Sequence, residues 1–217
     1  MKRRQFSAFA AGASLVAGLP DVARAQVESP VIASAADFSR IKRPLPLSPV
    51  PGTVSVVEFF SFACPWCFRF ETPLEAWLQH KPAAVRFRRS PVPFEQNFRN
   101  FQPMYFALEA MGLADAMPRK VFDAVHTEHL KLDKPEDIAA FMKRNGVDAD
   151  KFMDVFKSTA TGAKVAMANE VFRDSGADSV PTMMVQGRFL TNPVVARSYD
   201  KALAVVDRLV AEVLAEG

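Results

Sequence analysis

VSVVEFFSFACPWCFRFETPLEAWL, residues Val54–Leu78, is the most informative stretch of this 217-residue chain. It begins as an almost unbroken apolar run, typical of a buried strand, and changes abruptly into a Cys-Pro-Trp-Cys turn followed by a helical pattern. Cys64 and Cys67 are the only cysteines in the chain. A cysteine pair at this spacing, between a strand and a helix, indicates a site for dithiol–disulfide chemistry.

The position of Cys64 at the start of a helix predicts an acidic thiol. Pro65 suits the first helical turn, because the N–H that proline lacks would have no partner there. The free amide N–H groups of that turn and the positive end of the helix then face the Cys64 sulfur and stabilise its thiolate. We therefore expect a lowered pKa for Cys64, which makes it a reactive nucleophile, and a Cys67 that closes the disulfide beneath it.

Two other uses of the cysteine pair are compatible with its spacing. The pair could supply half of a zinc site, with His126 and His129 as distant ligands, although a strand followed by proline has no purpose in such a site. An inert structural disulfide is the other alternative, although a bridge across so short a loop removes little chain entropy. We expect no metal and no other cofactor, and we interpret both histidines as ordinary helix residues.

Residues 1–25 are predicted to be an export signal. Lys2, Arg3 and Arg4 form a basic start, Phe6–Leu19 is a mildly apolar segment, and Ala-Arg-Ala at 23–25 is a small-x-small cleavage site. The paired arginines also fit a twin-arginine signal, so the Sec and twin-arginine routes are both open. The mature protein is expected in a bacterial periplasm, an oxidising compartment where a close-set cysteine pair serves chemistry.

The net charge gives no support to a nucleic-acid partner. The chain has a formal charge of +3 at pH 7. Four basic residues and one acidic residue within the first 25 account for all of it, so the rest of the chain is formally neutral.

The remaining pattern predicts an α/β domain over residues 52–217, preceded by an extended proline-rich lead-in over 26–51. Val85–Pro91 is a second strand, which completes a β-α-β unit. A helical insertion is predicted over about residues 97–160 from apolar residues at helical spacing. Its four helices are predicted at Phe101–Met111, Pro118–Glu128, Lys134–Asn145 and Ala149–Lys157. After it we expect a helix at Thr161–Ser175, a β-hairpin around Gln186-Gly187 and a closing helix at Ser198–Leu214.

Glu58 is a charged residue on an apolar face of the first strand, which is predicted over Val54–Phe62. Every second residue of a strand lies on the same face, so Glu58 lies between Val56 and Phe60. Burial at this position disfavours the carboxylate and raises the pKa of Glu58. We interpret it as a buried acid that tunes or protonates the cysteines. The alternative is a carboxylate that reaches solvent or pairs with a lysine at the end of the strand.

The order of these pieces resembles that of the DsbA-like thiol:disulfide oxidoreductases of the thioredoxin superfamily. The resemblance runs from about Pro51 to the end of the chain and is most specific over Val57–Cys67 (VEFFSFACPWC) and at Val180-Pro181 with the Val-Gln-Gly hairpin after it. It implies a thioredoxin-like α/β fold with an inserted all-helical subdomain. It also implies a protein that introduces disulfides into exported proteins.

The resemblance further implies roles for individual residues. Cys64 would be the exposed nucleophile, Cys67 its buried partner and Glu58 the family's buried acid. Pro181, preceded by Val180, would be the proline held cis beside the disulfide, where an unpaired backbone edge lets an unfolded client add as a strand. Apolar residues near the site are expected to hold client segments, with Pro65, Trp66, Val180 and Met183 as candidates.

The resemblance also implies partners, namely reduced or unfolded exported proteins and a quinone-linked membrane oxidase that restores the disulfide. We expect a monomer. Alternative functions are a periplasmic reductase or isomerase of the same fold, a module that holds a soft ion such as Cu(I), or a glutathione-dependent transferase. The copper alternative is weakened by the lack of a Met or His cluster beside the cysteines, and the transferase leaves Cys67 without a purpose.

Trp66 departs from the family pattern, which most often has His at this position. An indole carries no charge and cannot stabilise the Cys64 thiolate as an imidazolium does. The cysteine pKa is about 7 in thioredoxin and about 3.5 in DsbA. We therefore expect Cys64 between these values, and a weaker oxidant than the family's best-known members.

Overall fold

Strand β2 (Val54–Phe60) is buried along almost its entire length and delivers the chain to the cysteines. The computed structural model describes residues 36–46, 50–93 and 98–216. The predicted export signal and half of the predicted lead-in therefore lie outside the described residues. β2 ends two residues earlier than predicted, because Ser61 and Phe62 turn toward the cysteines without continuing the ladder.

The sheet of the described residues has five strands in the order β1-β5-β4-β2-β3. β3 pairs in parallel with β2, and the other neighbours are antiparallel. The parallel pair needs a crossover connection, which the helix Pro65–His80 supplies. Besides β2, the strands are β1 (Ser39–Arg40), β3 (Val85–Pro91), β4 (Thr182–Val185) and β5 (Phe189–Thr191).

All seven predicted helices are present, and their ends differ from the predicted ones by at most two residues. No helix in the described part of the chain is long and apolar enough to cross a membrane. The helices are α1 (Pro65–His80), α2 (Phe101–Ala110), α3 (Pro118–His126), α4 (Pro135–Arg144), α5 (Ala149–Phe156), α6 (Thr159–Ser175) and α7 (Tyr199–Glu216).

β2 contributes side chains to three apolar cores. Val54 and Val56 pack with α1 and α7 on one face of the sheet. Phe59, on the opposite face, contacts Phe172 of α6 edge to face. At its carboxyl end, Phe60 and the following Phe62 enter the core formed by α2–α5. The cysteines follow this end directly, so the site lies where the sheet meets the helical segment α2–α5.

One strand was not predicted, and one local prediction is wrong. The lead-in contains β1, whose residues Ser39 and Arg40 pair with Leu190 and Phe189 of β5. A two-residue strand has no periodicity to detect, since only backbone pairing with a distant segment forms it. His129 is not helical either, because α3 ends at His126 and His129 has a left-handed φ of 57°.

Candidate active site

Cys64 is the N-cap residue of α1, and Pro65 occupies the first helical turn, as predicted. Both cysteines are free thiols. Cys64 is only 3% exposed, so the expectation of an exposed nucleophile is wrong for this form of the protein. The reason is the approach of a second segment, since the Cys64 Sγ lies 3.5 Å from the Val180 carbonyl oxygen, to which Cys64 donates when it is protonated. Cys67 is fully buried one turn further into the helix.

The two thiols differ sharply in acidity. The pKa of Cys64 is lowered to about 6, mainly because the Cys67 thiol donates a hydrogen bond to its sulfur. Burial opposes this shift, and the backbone N–H groups of Cys67 and Trp66 add to it. Burial, together with donation to Cys64, raises the pKa of Cys67 well above its usual range. Near neutral pH the pair therefore holds a thiolate on Cys64 and a proton on Cys67.

Beneath the cysteines lies a buried group of three ionisable side chains, Glu58, Arg89 and Glu71. Arg89 Nε is 3.0 Å from Glu58 Oε2, and Arg89 NH2 donates to both carboxylate oxygens of Glu71 at 3.0 Å. The Nε–H is not aligned with Glu58, so neither Glu58 oxygen accepts a hydrogen bond from a described residue. Two carboxylates thus share one guanidinium, and Glu58 is the less well satisfied.

Glu58 holds a proton near neutral pH. Burial raises its pKa to about 8, and Arg89 only partly offsets this effect. The neighbouring Glu71 and a charge on Cys64 raise it further. A charge on Glu58 in turn raises the pKa of Cys67. Glu58 is thus buried with a raised pKa, as predicted, and its ionic neighbour is an arginine of the next strand. The alternative, a carboxylate that reaches solvent or pairs with a lysine, is not what the structure shows.

Arg89 and Glu71 are site residues that the sequence reasoning missed, although both carry a signal. In β3 the arginine has the same two-residue parity as Val85 and Phe87, the inward-facing positions. In α1 the glutamate falls among the buried positions at Cys67, Phe70 and Leu74. A charge on each of two facing apolar surfaces indicates a buried ion pair.

The Val180–Pro181 peptide bond is cis, as the resemblance implies. It immediately precedes β4, which pairs antiparallel with β2, so this segment lies beside the turn that carries the cysteines. The Val180 carbonyl faces the Cys64 sulfur. The backbone of a second element thus forms one wall of the site.

A shallow groove of about 290 Å³ runs beside the cysteines. The indole of Trp66 forms one side of it and is 57% exposed, and Val194, on the opposite loop, is 84% exposed. The lining side chains are uncharged and largely apolar: Trp66, Ser179, Val180, Pro181, Asn192, Pro193, Val194 and Tyr199. Pro65, next to Trp66, is also exposed.

Met183 is not part of this surface, so its assignment as a client-binding residue is wrong. It pairs with Glu58 in the sheet and is fully buried with residues of α1 and α7. Only two residues separate it from the exposed edge of the site, but β4 has already entered the core.

The two histidines do not form a metal site. His126 is bonded through Nε2 to the Phe62 carbonyl oxygen at 2.8 Å, and its ring stacks on Phe68. His126 therefore connects α3 to residues on both sides of the cysteine turn. Burial lowers the pKa of His126. Within residues 36–46, 50–93 and 98–216, no cluster of three or more His, Cys, Asp or Glu side chains could hold a metal ion.

The fold and the paired thiols define a dithiol–disulfide oxidoreductase site on a thioredoxin-like scaffold. Comparison with known families agrees, since the model of the DSBA-like thioredoxin domain matches residues 55–104 and 95–201. The thiol:disulfide interchange protein DsbA of Burkholderia cepacia is 35% identical over 199 residues, which cover 92% of each chain. The chain belongs to the DsbA-like thioredoxin family and is a thiol:disulfide oxidoreductase.

A second relative is similar to this chain in both sequence and structure. DsbA of Pseudomonas aeruginosa is 33% identical over 174 residues, 80% of this chain and 82% of the relative. A crystal structure of that protein superposes with a TM-score of 0.78 over 83% of this chain and 93% of that chain, at 32% identity. The likeness thus covers the sheet and the helical segment together.

Proposed function

We propose that this protein is a periplasmic oxidase that transfers its Cys64–Cys67 disulfide to reduced exported proteins. The proposal rests on the opposite shifts of the two thiol pKa values. The pKa of Cys64 is lowered to about 6, whereas the pKa of Cys67 is raised well above its usual range. A stabilised Cys64 thiolate favours the reduced form of the protein, so electrons flow from the client to the enzyme.

The reaction has two exchange steps. A client thiolate attacks the Cys64 sulfur of the oxidised protein, so a client–Cys64 bond forms and the Cys64–Cys67 bond breaks. Cys67 departs as a thiolate and takes up a proton. A second client thiolate then attacks the client sulfur of the mixed disulfide, which forms the client disulfide and releases Cys64 as a thiolate. Two electrons have passed to the enzyme.

Glu58 is the proposed proton donor to Cys67. Because its pKa is raised to about 8, it carries a proton at neutral pH, when the departing Cys67 thiolate needs one. Its electrostatic interaction with Cys67 indicates that the two groups lie close enough for each to respond to the other's charge. Arg89 and Glu71 position the carboxyl group and do not exchange protons with the cysteines.

Client segments are proposed to bind in the groove between Trp66 and Val194. Its walls present aromatic and aliphatic surface to solvent, which suits unfolded segments of varied sequence. Val180 and Pro181 would place the client backbone beside Cys64, with Val180 supplying main-chain hydrogen bonds. Pro65 and Trp66 complete this surface on the helix side.

Residues 1–25 are the proposed export signal, with residues 26–51 as a lead-in, residues 52–217 as the oxidoreductase domain and about 97–160 as its helical insertion. A quinone-linked membrane oxidase is the proposed partner that restores the disulfide. The protein is proposed to act as a monomer, and no nucleic acid is expected to bind.

The direction of electron flow is tested with a reduced two-cysteine peptide and the oxidised protein. We expect rapid peptide oxidation by the unaltered protein. Cys67→Ser should instead react with an activated peptide disulfide and accumulate the mixed disulfide at Cys64, visible by mass spectrometry. In periplasmic extracts, Cys64 and Cys67 should be mainly oxidised. A pair kept reduced in cells would overturn the oxidase proposal and favour the reductase or isomerase alternative.

A further inference from the structure

Trp66 and Arg69 form an exposed pair at the edge of the active site. They lie three residues apart on α1, so their side chains project from the same face of the helix. The Arg69 guanidinium carbon is 4.8 Å from the centre of the Trp66 ring, within the range of a cation–π contact. The indole thus fixes the position of a cation next to the cysteines.

In the described part of the chain, no acidic side chain neutralises the charge of Arg69. Among the described residues, no carboxylate forms an ion pair with it, and its described contact is the Trp66 ring. Arg119, which also contacts an aromatic ring of α1, differs because it pairs with both Glu75 and Asp123. Arg69 is therefore able to receive a carboxylate from outside the chain.

Arg69 lies next to the groove, because it contacts Trp66, which lines the groove. The phenol of Tyr199, which lines the groove, interacts electrostatically with Arg69 and with both cysteine sulfurs. Its ring stacks on Phe70, the residue after Arg69, at 5.6 Å. The cation, the phenol and the two sulfurs are therefore neighbours, whereas the groove lining itself carries no charge.

We propose that Arg69 is a specificity-determining residue that selects clients with an acidic side chain near the reacting cysteine. Arg69 follows Cys64 by five residues on one helix, or about 7.5 Å along its axis. An extended peptide advances about 3.3 Å per residue. An Asp or Glu about two residues from the client cysteine then reaches the guanidinium, while an apolar neighbour lies in the groove beside Trp66.

The proposal is tested by oxidation kinetics of three two-cysteine peptides that differ at one position, two residues from the first cysteine: Glu, Gln or Lys. For the unaltered protein we expect a kcat/KM roughly fivefold higher for the Glu peptide than for the Lys peptide at low salt. Arg69→Glu should reverse this order, and Arg69→Lys should keep it. The preference should shrink in about 1 M salt, where the Debye length is about 3 Å.

Arg86→Glu is the matched control. It makes the same change in net charge on an exposed residue of β3, beside Ser55 near the start of β2 and thus at the opposite end of the strand from the cysteines. It should leave the Glu-to-Lys ratio as in the unaltered protein. A change in Cys64 itself would alter the rates of all three peptides alike, so the ratio isolates the contact with the client.

Two results would overturn the proposal. One is an unchanged Glu-to-Lys ratio in Arg69→Glu. The other is an equal change of that ratio in Arg86→Glu, which would assign the preference to net charge and not to the Trp66–Arg69 pair.

Discussion

At the scale of single residues, the chemistry depends on one sulfur atom whose negative charge is stabilised by three donors. These are the Cys67 thiol and the backbone N–H groups of Trp66 and Cys67. The N–H groups belong to the helix start, and any residue except proline provides them at these positions. The thiol is different, since it depends on the identity of one side chain.

Replacing Cys67 therefore separates the two contributions to the acidity of Cys64. In Cys67→Ala the strongest donor is lost, and we expect the Cys64 pKa to rise by about one to two units, from the usual strength of a hydrogen bond to a charged group. Cys67→Ser keeps a donor and should stay close to a pKa of about 6. The rate of alkylation by iodoacetamide as a function of pH measures both values. Equal profiles for the two variants would show that the backbone alone sets the acidity.

Glu58 makes stability depend on pH. Burial raises its folded-state pKa from 4.5 to about 8, so between these values the folded state binds more protons than the unfolded state. The free energy of unfolding from this group is therefore fully present below about pH 4.5 and is lost as pH rises through about 8. In Glu58→Gln the side chain cannot ionise, so the free energy of unfolding no longer falls for this reason as pH rises. Arg89 stays paired with Glu71 in this variant.

We expect reduced Glu58→Gln to exceed the unaltered protein in free energy of unfolding by roughly 4 to 5 kcal/mol at pH 8.5 and by less than about 1 kcal/mol at pH 5. Urea titrations at the two pH values measure this difference. Glu75→Gln, at an exposed position of the same helix as Glu71, is the control and should change stability by less than about 0.5 kcal/mol at either pH. A Glu58→Gln protein that loses stability equally at both pH values would contradict the raised pKa.

At the scale of elements, helix α6 shows how single positions define where an element begins and ends. Ser158 is its N-cap and accepts a hydrogen bond from the Thr161 N–H. Gly176 ends it in the left-handed conformation, with φ 74°. Gly162, by contrast, lies within the helix, where a Cβ atom would meet nothing within 4 Å. Gly176 therefore adopts a left-handed conformation that favours glycine, whereas Gly162 adopts a helical conformation that other residues also adopt.

Alanine substitution should distinguish the two. Gly176→Ala places a Cβ in the left-handed region and should cost roughly 1 kcal/mol of unfolding free energy. Gly162→Ala should add about 0.5 to 1 kcal/mol, because alanine loses less backbone entropy in a helix. Thermal or urea unfolding of both variants is the measurement. Shifts of the same sign would show that Gly176 does not need its left-handed conformation.

At the scale of the whole molecule, the reduction potential combines all of these contributions. A Cys64 pKa of about 6 lies between the cysteine values of thioredoxin, about 7, and of DsbA, about 3.5. We therefore expect a potential between about −270 and −120 mV, the values of those two proteins. Equilibration with glutathione buffers, followed by fluorescence, measures it. A potential at or above the DsbA value would contradict the prediction.

The substitution Trp66→His tests the reason for this intermediate value. An imidazolium between the cysteines should lower the Cys64 pKa and raise the potential by about 30 mV for each pKa unit gained. Trp66→Phe, which adds no charge, is the control and should leave the potential unchanged. Equal potentials for the histidine and phenylalanine variants would show that this position does not set the oxidising strength.

Much of the architecture could be predicted because its signals are local. Pro65 after Cys64 indicates the start of α1, and Gly176 the end of α6, since each residue type has a backbone preference of its own. Val85–Pro91 is present as predicted because its alternating pattern is complete within seven residues. Pairing over long sequence distances has no such local signal, and so β1 and the burial of Met183 were missed.

The sequence by itself determined the position of the nucleophile at a helix start and the identity of the buried acid, because both follow from neighbours along the chain. Only the tertiary structure decided which arginine faces Glu58, that Val180 covers Cys64, and that Arg69 lies over Trp66 near Tyr199. The physical reason is that charge, burial and access depend on distances between segments far apart in sequence. Those distances are set by the packing of the whole chain.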